Sequence, residues 1–312
     1  MSVNLGDATI PNLEQGSPAA SAAGLDGSID GSHVQFVDSH AHLDEPAFAA
    51  DQDEVIDRAM QAGVTRIVNI GYRPDRWRTT AELVTSRSGV VAVLGLHPQS
   101  AAEFHERTLD QLSEAIARVG ARAVGEIGLD YYRDDSPETA DRQRRAFAAQ
   151  IELAVGLRLP VVVHQRAAER DCWDMLRAAP PDLPVLLHCF EGDPALLRLA
   201  LERGYYLGIG GVLTRPAGER LRTAVRAAPL DLLLLETDAP YLTPAGVKDR
   251  RNTPANIPII AATLGELCGL PPAEIAAQTT AGAQRLFGII SPGNVRAGGP
   301  TAPTGRSEVD NS

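Results

Sequence analysis

The amino-acid sequence predicts a single (β/α)8 barrel of the TIM type, an α/β fold with its site at the C-terminal ends of the strands. Three observations predict it. Apolar runs alternate with amphipathic segments through the middle of the 312-residue chain. Those runs have the composition of strands buried on both faces, as in a parallel sheet. The histidines and acids that follow the runs come from strands one, four, five, six and eight. An open doubly wound sheet would instead gather its ligands from a few adjacent loops at one switch point.

Residues 1–33 are rich in Gly, Ser, Ala and Asp without apolar periodicity, and read as a disordered leader. The barrel domain is expected over 34–290, with strands at 35–40, 64–70, 90–96, 122–128, 159–164, 184–189, 205–210 and 232–237. Each is followed by a segment of helical character, for example 75–86, 141–155 and 194–203. Two further helices, at 254–268 and 272–287, close the C-terminal side, and 291–312 reads as a disordered tail. No linker divides the core, and no short-period repeat is visible.

The formal net charge of −11 and the pI near 5.1 argue against a broad basic surface for polyanions. They leave room for phosphate held locally by cations and a few arginines. Lys248 is the sole lysine. The first cationic residue is Arg58, so neither a signal-peptide n-region nor an Arg-rich transit peptide is expected. No apolar run approaches a membrane span. The three cysteines have no CxxC spacing and fit reduced thiols in a cytoplasm. A cytoplasmic protein with no membrane association and no obligate protein partner is expected. There is no GxGxxG or Walker sequence to suggest a nucleotide cofactor.

Six residues are candidates to hold a pair of divalent cations: His40, His42, Glu126, His164, His188 and Asp238. His40 and His42 are two apart on a strand and leave the same face. Asp38 shares their parity, either accepting from an imidazole N–H or serving as a strand-end carboxylate. Glu126, in VGEIGLDYY, is an acid in an apolar run, costly to bury unless paired or ligated. A carboxylate can bridge two cations, and Gly125 and Gly128 permit close backbone approach beside it. Asp130 has the same parity and is expected to support the loop. His164 and His188 end consecutive strands, LPVVVH and PVLLH. Four leucines drive Glu236, Thr237 and Asp238 into the mouth, where two acids repel without a cation. With one lysine, and that one beyond strand eight, a carboxylated-lysine bridge is effectively closed. Together these residues point to metal-dependent hydrolysis.

The segments VDSHAHLD, GLHP, VGEIGLDYY, LPVVVHQR, HCFEG, YYLGIGG and LLETDAPYLTP, in this order from about residue 36 to 288, resemble the TatD family of metal-dependent deoxyribonucleases, within the amidohydrolase-like barrels. The resemblance implies a TIM-type barrel, two divalent cations and hydrolysis of phosphodiesters in DNA, often as a 3′–5′ exonuclease on single strands or 3′ ends. Carried over by motif, His40, His42, Glu126 and Asp238 hold one metal, and Glu126, His164 and His188 the other. Zn²⁺, Mg²⁺ and Mn²⁺ all suit this ligand set. The chain departs from the family pattern at Gln99, at HQR, at HCFEG, at Thr253 and at Gly282. None is a proposed ligand, so these differences bear on substrate preference.

In this reading Asp238 is the general base toward a metal-activated water. His97, at the end of strand three, either contacts a phosphate or the leaving group, or fixes a loop. Arg133, Arg166 and Arg251 clamp phosphate or form surface ion pairs. Tyr131 and Tyr241 stack on bases or close the rim. Glu236 orients a ligand or a sugar hydroxyl. Two rivals remain: an amide, lactone or ester hydrolase on the same barrel, aminoacyl-tRNA deacylation included, and a non-enzymatic binding protein with a structural metal.

Overall fold

The structure, a computed structural model, describes residues 34–289. The expected leader, residue 290 and the expected tail lie outside the described residues. Eight parallel strands run in the order of the sequence: β1 (Phe36–Ala41), β2 (Val64–Gly71), β3 (Val90–Leu94), β4 (Val124–Asp130), β5 (Val161–Arg166), β6 (Val185–Leu187), β7 (Tyr206–Ile209) and β8 (Leu233–Leu235). The helices are α1 (Gln52–Gln61), α2 (Pro74–Ser86), α3 (Glu106–Val119), α4 (Pro137–Leu157), α5 (Glu169–Ala178), α6 (Pro194–Arg203), α7 (Glu219–Ala227), α8 (Ile257–Cys268) and α9 (Pro272–Phe287). This is the TIM barrel the alternation predicts. The strands of β6 and β8 are shorter than expected, so His188 and Asp238 stand just beyond strand pairing, on backbone already turning into the mouth.

Local chemistry explains the element ends. Asp193 caps α6 by accepting from Ala195 N and Leu196 N, both at 2.9 Å, and Gly204 ends that helix in the left-handed region at φ +67°. Ser136 caps α4, with Pro137 at the first helical position. Among the described residues, no single helix is long and apolar enough to cross a membrane.

The β8–β1 seam closes through few bonds. His42 N donates to Ala239 O at 2.7 Å and Asp238 N to His40 O at 2.9 Å. Buried Asp38 reinforces the seam, accepting from Thr237 N at 3.0 Å, Thr237 Oγ1 at 2.5 Å and His40 N at 3.2 Å. It therefore holds backbone rather than an imidazole. A register shift between Asp38 and Ala41 also breaks the expected shared parity of Asp38 with His40. Burial pushes the Asp38 carboxyl up to about 7, against the hydrogen bonds from Thr237.

Two apolar layers fill the molecule. Residues such as Ile67, Leu94, Ile127 and Val163 face outward under the helices. Val37, Val68, Val93, Val162, Leu186 and Leu234 form a separate cluster with Ala283, Leu286 and Phe287 of α9. Thr280 Oγ1 donates to Gln35 O and Arg285 to Asp231 O, both at N-terminal strand ends. Helix α9 thus seals the N-terminal end of the barrel, opposite the site. The pattern predicts the helix but not the end it covers.

Candidate metal centre

Glu126 reaches the barrel axis through a bulge. Gly125 pairs with Val162 and Ile127 with Val163, so Glu126 is an extra residue that the ladder skips. Without this insertion, strict alternation would turn it outward. Gly128, at φ +137°, follows; a Cβ there would lie 2.0 Å from His164 O, so only glycine fits.

The two oxygens of buried Glu126 face different donors. Oε2 lies 3.4 Å from His40 Nε2 and 3.8 Å from His42 Nε2. Asp238 Oδ1 is 3.8 Å from His40 Nε2 and 3.3 Å from His42 Nε2, and the two imidazole nitrogens are 3.3 Å apart. Donor separations of this size suit N and O ligands of one divalent cation. Oε1 lies 2.6 Å from His164 Nδ1, 3.3 Å from His188 Nε2 and 3.6 Å from His97 Nε2. All six sequence-predicted ligands therefore meet in one volume, and the donor set fits divalent cations.

Polar neighbours stand beside these imidazoles. His42 Nδ1 faces Ile70 O at 3.4 Å, His164 Nε2 faces Asp130 Oδ2 at 3.5 Å, and His188 Nδ1 faces Glu236 Oε1 at 3.3 Å. In each case the nitrogen turned toward Glu126 or Asp238 is left free to ligate. Asp130, expected only to support a loop, thus also lies beside a candidate ligand. His97 differs. Its Nδ1 accepts from Gln99 N at 3.1 Å, so in the neutral ring Nε2 carries the proton and points into the site as a donor.

Carboxylates and imidazoles this close shift one another's ionisation. Burial opposes ionisation of Glu126, yet His188, His97 and His40 hold its carboxyl well below the usual range. Burial likewise opposes ionisation of Asp238, but His42 and His188 hold its carboxyl below the usual range. His188 rises to about 10 despite burial, because Glu236 and Glu126 face it. Burial and His164 push His97 down to about 3, so it is neutral. The Asp238 backbone sits in the left-handed region at φ +54°, a conformation that Asp tolerates better than most residues.

The mouth is a cavity of about 450 Å³, with His42, His97, Glu126, His164, His188 and Asp238 among its walls. Other expectations are corrected by position. Glu236 is fully buried behind His188, its Oε1 accepting from Cys189 N at 2.6 Å, so it faces a ligand and not the cavity. Arg251 is held in a two-pronged ion pair with Asp51 at 2.8 and 2.6 Å and is not a wall of the mouth. Tyr131 turns away to donate to Asp171 at 2.9 Å. Its neighbour Tyr132, passed over in the sequence, is 64 % exposed and stacks under Arg166, whose guanidinium carbon is 3.8 Å from the ring centre. The YY pair carried the signal: adjacent residues point opposite ways, so one had to face out. Arg133, Arg166 and the half-exposed Tyr241 do line the mouth, as does Gln99, which donates to Asp130 at 2.8 Å.

A TIM barrel whose mouth gathers four histidines and two carboxylates able to hold divalent cations defines a metal-dependent hydrolase. Comparison with known proteins agrees. A family model described as TatD related DNase matches residues 37–288. The metal-dependent hydrolase TatD of Mycobacterium tuberculosis is 38 % identical over 262 residues, covering 81 % of this chain and 98 % of that protein. The 3′-5′ ssDNA/RNA exonuclease TatD of Escherichia coli is 34 % identical over 258 residues, covering 81 % and 98 %. The crystal structure of the TatD homologue YjjV from Escherichia coli superposes with a TM-score of 0.77 at 32 % identity, covering 82 % of this chain and 99 % of that one. The chain belongs to the TatD family.

Proposed function

We propose that this protein hydrolyses phosphodiester bonds of DNA, as a 3′–5′ exonuclease on single strands or 3′ ends. The observation that carries the reading is Glu126, one buried carboxylate whose two oxygens face two separate groups of imidazoles. His40, His42, Glu126 and Asp238 would hold one divalent cation, and Glu126, His164 and His188 a second. Bound Zn²⁺, Mg²⁺ or Mn²⁺ supplies Lewis-acid neutralisation of phosphate charge and acidifies water. Asp238, ionised and lining the mouth, takes the proton of the attacking water. His97 donates its Nε2 proton in a hydrogen bond to a phosphate oxygen or the leaving group. Arg166, stacked on Tyr132, offers planar donors to phosphate while Tyr241 offers a face to a base. Glu236 and Asp130 orient His188 and His164. The relative in Escherichia coli named as an ssDNA/RNA exonuclease supports this choice of substrate. The three unpaired cysteines favour a reducing, cytoplasmic setting.

The test uses the purified chain, stripped with chelator and restored with each metal in turn. A 5′-labelled single-stranded DNA oligonucleotide should be shortened progressively from its 3′ end, with RNA, ester, lactone and amide substrates assayed alongside. Turnover of carbonyl substrates alone, or of nothing under any metal, would overturn the assignment.

A further inference from the structure

The mouth does not end at the metal centre. Three of its walls, Gln99, Asp130 and Arg133, are also walls of a second cavity of about 370 Å³, which runs over the start of α4 to Thr139 and Arg142. Each cavity has the size of a small-ligand pocket. The two adjoin at these shared side chains, so groups bound in both would lie side by side.

The acids lining the second cavity already accept hydrogen bonds. Asp130 accepts from Gln99 Nε2 at 2.8 Å and Tyr132 N at 3.1 Å and faces His164. Asp134 accepts from Ser136 N at 3.0 Å and Thr139 Oγ1 at 2.6 Å, at the cap of α4. Glu138 holds Arg142 at 2.8 Å. Arg133 stands at the junction, exposed, and its guanidinium has no hydrogen bond or ion pair among the described residues. Its planar donors are free for an anion.

We propose that the second cavity is a subsite for the next phosphodiester of an extended single strand, with Arg133 binding its nonbridging oxygens. This rests on the nuclease reading and adds to it a preference for substrates longer than a dinucleotide. The site offers a way for a chain of net charge −11 to hold a polyanion: the contact is one placed guanidinium beside acids that accept hydrogen bonds from neighbouring groups, not a basic surface.

The experiment compares wild type, Arg133→Ala and Arg133→Lys on a thymidine dinucleotide and tetranucleotide, with Arg145→Ala as a control on the exposed face of α4, where Arg145 pairs with Asp141. Binding of a phosphorothioate tetranucleotide in EDTA is measured in parallel by anisotropy across a salt series. For Arg133→Ala, the kcat/KM advantage of tetranucleotide over dinucleotide should fall about tenfold. Its log–log salt slope for binding should lose about 0.7, the value of one phosphate contact on a single strand. Arg133→Lys should restore the slope, and Arg145→Ala should behave as wild type. If wild type cleaves both substrates and Arg133→Ala changes neither ratio nor slope, the subsite is wrong while the nuclease reading stands. If wild type cleaves neither with any metal, the nuclease reading goes first and the subsite with it. Should Arg133→Ala fold poorly, Arg133→Gln gives the same comparison.

Discussion

A methyl group placed at residue 208 tests how the metal centre is supported. Gly208 has an ordinary backbone conformation on β7, so alanine introduces no backbone strain. Its Cβ would lie 2.2 Å from Glu236 Oε2, 2.7 Å from Cδ and 3.0 Å from Oε1. To reach van der Waals contact the carboxylate must retreat by about 1 Å. Fully buried, Glu236 has no solvent to move into. The movement breaks the 2.6 Å bond from Cys189 N and withdraws the partner of His188 Nδ1. Losing a charge-assisted bond costs about 1.5–3 kcal/mol of stability. Loss of an orienting partner weakens metal binding about 10–100-fold. Affinity is read by competition with a chromophoric chelator, and stability by denaturant unfolding of the metal-free chain. Gly156→Ala is the matched control: it lies within α4, and nothing is within 4 Å of its added Cβ. It should stabilise by about 0.5–1 kcal/mol and leave metal affinity alone. If Gly208→Ala binds metal as wild type does, Glu236 does not orient His188, and the account of the supporting residues is wrong.

Three further outcomes follow from the same geometry. Asp238→Asn should keep the fold and the cavity yet lower kcat about 10²–10⁴-fold, since the amide cannot take a proton from water; near-normal turnover would reject the base role. Phe287→Ala, which empties part of the apolar seal at the N-terminal end, should cost about 3–5 kcal/mol in unfolding experiments with metal affinity unchanged. Cys172, on the inner face of α5, is fully buried, and burial pushes its thiol up, so at pH 8 it should resist a chromogenic disulfide reagent until the chain is unfolded.

The six ligand candidates were legible because barrel topology does the work of assembly. Any polar side chain at the C-terminal end of a parallel strand arrives at the same mouth. Histidines ending apolar runs therefore meet whatever their distance along the chain. What was not legible was direction within the rim. Tyr131 and Tyr132 are adjacent and chemically identical, and which one faces solvent depends on how the backbone leaves β4. Arg251 has the chemistry of a phosphate ligand, but its partner Asp51 lies two hundred positions away. Parity counts failed at Asp38 for a related reason: an inserted residue resets alternation, and a bulge has no signature in residue types.

The sequence by itself determined the alternation of strand and helix, and hence the barrel, because buried parallel strands and amphipathic helices leave periodic records in composition. It also named the imidazoles and carboxylates that meet in the mouth. Only the tertiary structure decided which oxygen of Glu126 faces which imidazole, which neighbour fixes each ring, that α9 seals the far end, and that a second cavity adjoins the first. These depend on distances of a few tenths of an ångström between residues far apart in the chain, set by bulges and side-chain packing that no local pattern encodes.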